Sequence, residues 1–203
     1  MNMISTERAE AALKHEEPHI IASREFGFWL FLLGDAITFA LLIASYAVLG
    51  DNSAAGPTSQ EVFHLGLTLA QTVLLLLATY VMGLAVVSLM EEDAAQVRLW
   101  LAATVVLGLA FTVLQVYEFS SMIASGAGPD VSGFLSAFFT LLGVHGLHVI
   151  FGTLACAVLF GQVIVKGLTK PVGSRVIRMA VYWHFLVAVW VAIYSVVYLS
   201  GVL

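Results

Sequence analysis

Residues 65–90 read LGLTLAQTVLLLLATYVMGLAVVSLM, without one Asp, Glu, Lys, Arg or His. Crossing about 30 Å of hydrocarbon takes roughly 20 apolar residues at 1.5 Å each, so this stretch is long enough to span a bilayer. Four more runs of the same kind surround it: Phe26–Leu49, Leu99–Ile123, Phe134–Val165 and Met179–Leu203. The fourth of the five, Phe134–Val165, exceeds the thickness it must cover and should tilt or project. The chain reads as an all-α integral membrane bundle of five transmembrane helices. Residues 1–24 form a polar tail and residues 25–203 the membrane domain.

The basic residues orient the bundle. Arg8, Lys14 and Arg24 precede the first run, Arg98 lies between the second and third, and Lys166, Lys170, Arg175 and Arg178 lie between the fourth and fifth. The other two gaps and the C-terminus have none. Lys and Arg translocate poorly, so the tail is expected in the cytoplasm and the C-terminus in the periplasm. At 61% hydrophobic and 10% charged residues, with a mean hydropathy of +1.00, a soluble fold is untenable. A net charge of -5 gives no case for nucleic acid. Cys156, the one cysteine, falls inside a span, so no disulfide framework is available.

The tail has no small-residue cleavage site and reads as cytoplasmic rather than as a signal peptide. His15 and His19 there belong to a solvated segment. Gly50–His64, with Asn52, Gly56 and Pro57, and the segment with Gly126, Gly128, Pro129 and Asp130 are turn chemistry. No gap is long enough for a soluble domain, and no repeat is visible.

Ionisable groups within spans are costly, by about 2.5–3.5 kcal/mol on insertion scales, so each needs a partner or a purpose. Five occur: Asp35, Glu118, His145, His148 and His184. Their heights follow from counting back to the nearest basic residue at 1.5 Å per residue. Asp35 comes out about 16 Å above Arg24, and Glu118 about 30 Å above Arg98. His145 and His148 come out about 31 and 27 Å above Lys166, and His184 only about 9 Å above Arg178. On this count His184 lies some 20 Å below the other two histidines, too far for one haem iron to join them. His64, just before the second run, would be the remaining candidate ligand at the upper level.

Carboxylate and imidazole suit several transition metals, so a Glu118–His145–His148 site is conceivable. The favoured reading is simpler: an acid and one or two histidines at matching depth hydrogen-bond to one another. Gly27, Gly34, Thr38 and Ser45 form a small and polar stripe beside Asp35, where another helix could approach closely. Asp35 is then either a proton-relaying acid or a neutral structural one. No phosphate-binding stretch, no paired nucleophile and base, and no inverted repeat of the transporter kind is present.

Three ordered motifs go further. The third run ends Leu114-Gln115-Val116-Tyr117-Glu118-Phe119. The fourth carries GFLSAFFTLLGVHGLHV over residues 133–149, and the fifth carries Tyr182-Trp183-His184-Phe185 followed by Trp190. Together they resemble subunit III of the haem–copper terminal oxidases, over nearly the whole chain from Arg24 to Gly201. Five spans match the shorter form of that family. The Gly56-Pro57-Thr58 turn, the Gly128-Pro129-Asp130 turn with Ser132-Gly133-Phe134, and the Tyr198-Leu199 ending look most like the bacterial cytochrome o (bo-type) ubiquinol oxidases. A cytochrome c oxidase subunit III is the alternative.

The resemblance implies a non-catalytic subunit of a proton-pumping respiratory complex that reduces oxygen to water. It implies no haem, copper, other metal or quinone in this chain, with the haems and copper carried by subunit I. It implies packing against subunit I, with subunits II and IV in the complex, support of sustained proton uptake, and bound phospholipid, all in the bacterial inner membrane. Asp35, Glu118, His145, His148 and His184 then match the family's buried polar positions, with proton- or lipid-related roles. Two departures stand out: Val187 replaces the acid usual in Trp-His-Phe-x-Asp, and Gly34 replaces the serine usual before the carboxylate. A self-contained haem or metal protein and a small transporter are the rival classes.

Overall fold

The computed structural model describes the backbone of residues 3–50, 52, 57–59, 63 and 65–202, with side chains from residue 23 to 201 among these. Gly56 and His64, and the side chains of His15 and His19, lie outside the described residues. Five long helices account for almost all of it: α1 (Met3–Leu49), α2 (Leu65–Met90), α3 (Ala94–Ala124), α4 (Gly133–Lys166) and α5 (Lys170–Ile193). A π-helical turn, Tyr194–Leu199, continues α5 and ends in Ser200–Val202. In hydrocarbon every backbone N–H and C=O must be satisfied within the segment, which leaves the helix as the form these sequences can take.

Five stretches are long and apolar enough to cross a membrane: Ser23–Leu49, Leu65–Met90, Ala94–Ala124, Gly133–Lys166 and Lys170–Leu199. The second matches its expected limits. The third and fifth start earlier than their apolar runs, because the sequence supplies helix starts there. Asp93 caps α3, its carboxylate accepting from Ala95 N at 2.9 Å and Gln96 N at 3.1 Å. Pro171 sits in the first turn of α5, where a missing N–H costs nothing. Lys170, Arg175 and Arg178 are therefore helical residues of α5 rather than a loop before it.

The helix ends are closed by the chain itself. At the end of α2, Glu92 takes φ 58°, while Glu92 N donates to Leu89 O and Asp93 N to Ser88 O at 3.1 and 3.0 Å. After α3, Gly126 takes φ 84°, and Gly126 N and Ala127 N donate to Ile123 O and Met122 O in the same way. Both are left-handed Schellman endings, which use up carbonyls that a helix end otherwise leaves bare.

The chain divides into two compact units, residues 1–38 and 39–203. In the first, α1 turns apolar from Ser23 onward. Thr38 Oγ1 donates back to Gly34 O at 3.0 Å, and Asp35 is half-buried. Within residues 1–38 a methyl group placed on Gly27 or Gly34 would meet no atom within 4 Å.

In the second unit, α2, α3, α4 and α5 close a ring: α2 packs on α3 and α5, and α4 packs on α3 and α5. Leu75, Met82, Leu101, Phe111, Leu141, Trp183 and Trp190 are fully buried in it. Two glycines let the helices close in. At Gly152 of α4, a Cβ would lie 2.9 Å from Tyr182 Cε1 of α5. At Gly108 of α3, it would lie 3.1 Å from Trp183 Cη2 and closer still to Thr153 Oγ1. The outward positions are apolar as well, with Val106, Val113, Leu147 and Phe151 all more than 60% exposed. A surface of that kind suits lipid, not water.

Candidate functional site: a polar layer inside the bundle

Glu118, nearly two turns from the end of α3, is only 4% exposed, and three side chains from three elements converge on it. Gln71 of α2 donates its Nε2–H to Glu118 Oε2 at 3.0 Å. Gln115, three residues back on the same face of α3, donates to the same oxygen at 3.4 Å. Tyr198 donates its O–H to Oε1 at 3.0 Å. Gln71 and Tyr198 are fully buried. Tyr198 reaches the carboxylate from the π-helical turn, a backbone irregularity that shifts side-chain phase and often marks a functional place. Its ring is packed by Phe63 at 4.9 Å and Phe138 at 5.8 Å between centroids.

Below this knot lies an aromatic layer around His145. The imidazole is fully buried, and Nε2 lies 3.2 Å from Leu186 O of α5, so that nitrogen carries the proton and donates it. Nδ1 is enclosed and meets no hydrogen-bond partner among the described residues. Trp190, Phe111 and Phe39 surround the ring at 5.1, 5.9 and 6.1 Å. Trp190 Nε1–H in turn donates to Thr72 Oγ1 at 2.9 Å, joining α5 to α2.

His148 is half-buried and turns Nδ1–H onto Val144 O of its own helix at 2.8 Å. Its backbone carbonyl accepts from Tyr182 OH at 3.1 Å. One turn lower, Trp183 Nε1–H points at Cys156 Sγ at 3.0 Å. His184 faces outward and is exposed, with Nδ1–H on Ala180 O at 2.7 Å. Val187 is 6% exposed and lies on the buried side of α5.

These contacts correct two expectations. The height assigned to His184 is wrong: Tyr182 bonds to His148 O and Leu186 O to His145, so residue 184 lies level with the other two histidines, not some 20 Å below them. The count fails because the helix does not start near Arg178; α5 begins at Lys170. The pairing assigned to Glu118 also differs. Its hydrogen bonds run to Gln71, Gln115 and Tyr198, and His145 bonds to a backbone carbonyl instead. Phe111 and Trp190, at 5.9 and 5.1 Å from the His145 ring, pack beside it. Among the described residues no group of three or more His, Cys, Asp or Glu side chains is placed to hold a metal ion. What separates the three imidazoles is therefore direction: they bond to Leu186 O, Val144 O and Ala180 O, and His184 turns away from the core.

Gln71 and Tyr198 are site residues that the sequence reading misses. A signal for Gln71 exists, since it is the one amide in an otherwise apolar helix. For Tyr198 no periodic pattern places the hydroxyl, because the π turn breaks the period.

The three motifs thus lie on three packed helices, in successive levels of one buried region: Gln115 and Glu118 on α3, His145 and His148 on α4, and Trp183 to Trp190 on α5. The family described as cytochrome c oxidase subunit III matches residues 6–202. The chain belongs to that family. The cytochrome bo(3) ubiquinol oxidase subunit 3 of Pseudomonas putida is 42% identical over 177 residues, 87% of this chain and 86% of the relative. The protein of the same name from Buchnera aphidicola subsp. Baizongia pistaciae is 38% identical over 185 residues, 91% of this chain and 95% of its own length. The cytochrome c oxidase subunit 3 of Bacillus sp. strain PS3 is 38% identical over 175 residues, 86% and 84% of the two chains. This is therefore a subunit III of a haem–copper oxidase, a multi-pass membrane protein that works within a complex with other oxidase subunits.

Proposed function

We propose that this subunit III serves a quinol-oxidising terminal oxidase of the bacterial inner membrane, with its N-terminal tail (residues 1–24) cytoplasmic and its C-terminus periplasmic. The membrane domain, residues 25–203, docks on subunit I in a complex that also holds subunits II and IV. It carries phospholipid rather than a redox group, and it keeps subunit I taking up protons over many turnovers. Asp35, Glu118, His145, His148 and His184 are the internal polar groups that serve this role, Asp35 being the candidate for a proton or lipid function.

The observation that supports this most directly is how the polar layer is used. Glu118 commits its two oxygens to Gln71, Gln115 and Tyr198, and His145 donates to a neighbouring helix's carbonyl. Such contacts hold helices together in lipid, which is what a supporting subunit needs. The quinol assignment rests on the names of the two relatives sharing 42% and 38% identity with this chain; the cytochrome c alternative rests on the third.

Purification in mild detergent tests the reading. Subunits I and III are expected in equal amounts, with quinol as donor, and removal of subunit III should leave the initial rate intact while activity decays faster with turnover. A chain that purifies alone, or a haem band belonging to it, would contradict the proposal. Oxidation of cytochrome c in place of quinol would move it to the sister branch.

A further inference from the structure

The bonds to Glu118 leave the far ends of two of its partners unanswered. Gln71 and Gln115 both turn Nε2–H onto Glu118 Oε2, at 3.0 and 3.4 Å. A carboxylate oxygen draws the N–H end of an amide and repels its carbonyl, so each amide directs Oε1 elsewhere. Gln71 Oε1 and Gln115 Oε1 are both enclosed, and neither meets a hydrogen-bond partner among the described residues. The N and O of an amide stand about 2.3 Å apart, so both oxygens lie within about 6 Å of the same carboxylate atom. His145 Nδ1 is a third such atom. Its ring spends Nε2–H on Leu186 O, which makes Nδ1 an acceptor, and nothing among the described residues donates to it. The imidazole borders the same region: it packs on Phe111, one turn before Gln115, and on Trp190, whose ring lies 6.3 Å from that of Tyr198. All three residues are at most 4% exposed, and every residue named lies within residues 39–203.

Buried acceptors that lack donors are costly, and they define the chemistry of what completes them. The occupant must donate hydrogen bonds and be small enough to be enclosed. Lipid tails have no donor. A metal ion would seek the carboxylate, whose oxygens are already covered by two N–H groups and a hydroxyl that repel it. Gly146 of α4 leaves room beside Gln115, since a Cβ there would meet only Gln115 Cγ, at 3.9 Å. We propose that this region is a binding site for internal water, with O–H groups donated to Gln71 Oε1, Gln115 Oε1 and His145 Nδ1. A water has two O–H groups, so three acceptors take more than one molecule. Buried waters typically make about 3 hydrogen bonds to polar groups otherwise unsatisfied. The polar layer is then a hydrated one: Glu118 is held by direct donors, and the far ends of its two amides are held through water.

The test is an electron cryo-microscopy map of the purified intact complex, fine enough to show ordered water, for the wild type and for Gln115→Met. Methionine is close to glutamine in shape but offers no amide oxygen. The expected wild-type result is a peak about 2.7–3.2 Å from each of the three acceptors. In Gln115→Met the peak at position 115 should be lost, while the one at His145 Nδ1 stays. Any of the three acceptors met by a protein donor, or left with no peak, overturns the inference, as does a peak at position 115 that persists in the variant. A peak ringed by oxygens at about 2.3–2.6 Å is a cation and overturns it too. If Gln115→Met does not assemble, the wild-type map alone decides. The inference does not rest on the quinol assignment: a complex that oxidises cytochrome c would contradict that assignment and leave these peaks expected.

Discussion

One end of the four-helix ring and its middle are held by different means. Toward the C-terminal end of α3, Glu118 joins α2, α3 and the π-helical turn through side-chain hydrogen bonds. Half-way along the helices, α3, α4 and α5 are joined by close approach, with Gly108 and Gly152 fitting against Trp183 and Tyr182. Hydrocarbon surroundings remove the usual drive to bury apolar surface, so helices associate through either interhelical hydrogen bonds or tight packing at small residues. This protein uses one at each level. The difference teaches where substitution should hurt and in what way: the polar end fails when a donor is stranded, and the packed middle fails when volume is added.

The largest expected effect is at the polar end. Glu118→Leu would leave the donors of Gln71, Gln115 and Tyr198 without their acceptor, at a cost of about 3–5 kcal/mol, as for other broken buried networks. The temperature at which this chain leaves the purified complex reads it directly, and a shift no larger than that of a lipid-facing substitution would break the comparison.

Next comes the packed middle. Gly152→Val puts a branched side chain where even a Cβ lies 2.9 Å from Tyr182, and should cost about 1–3 kcal/mol. A melting curve matching wild type would mean that α4 and α5 are not in close contact there.

Smaller again is Trp190→Phe, which keeps most of the ring but loses the bond to Thr72, about 0.6–1.7 kcal/mol. If this loss equals that of Glu118→Leu, the polar end has no special weight.

The smallest effect sharpens the contrast between glycines. Gly27→Ala and Gly34→Ala add a Cβ that meets no atom within residues 1–38 and should be neutral or stabilising by up to about 1 kcal/mol from helix propensity alone. Destabilisation at either would show that α1 is covered tightly on that face within the complex.

How much of this could be read from the sequence divides along physical lines. Spans are legible because hydrocarbon imposes composition on every residue of a crossing, which is why Leu65–Met90 has the ends its composition implies. Family membership was legible from the ordered Gln-x-x-Glu, His-Gly-x-His and Trp-His-Phe elements. Ends that carry charge were not. Lys170, Arg175 and Arg178 make the start of α5 look like a loop, and the height counted from Arg178 is wrong as a result.

Partners were less legible still. Glu118 and His145 lie on helices whose rotation no single sequence fixes, and about one further turn of α3 brings Glu118 to Gln71 and Tyr198 instead. Gly108 and Gly152 admit neighbours, and nothing in the sequence beside them says so. Close approach is a property of two surfaces, and only one of them is written at any glycine.

The claim on which the rest depends is that Glu118 and Tyr198 act as one linked pair at the polar end of the ring. A double-mutant cycle with Glu118→Leu and Tyr198→Phe, read as stability of this chain within the purified complex, tests it most directly. The account predicts that the double variant is less destabilised than the sum of the two single ones, with a coupling of about 1 kcal/mol or more. Strict additivity would contradict it.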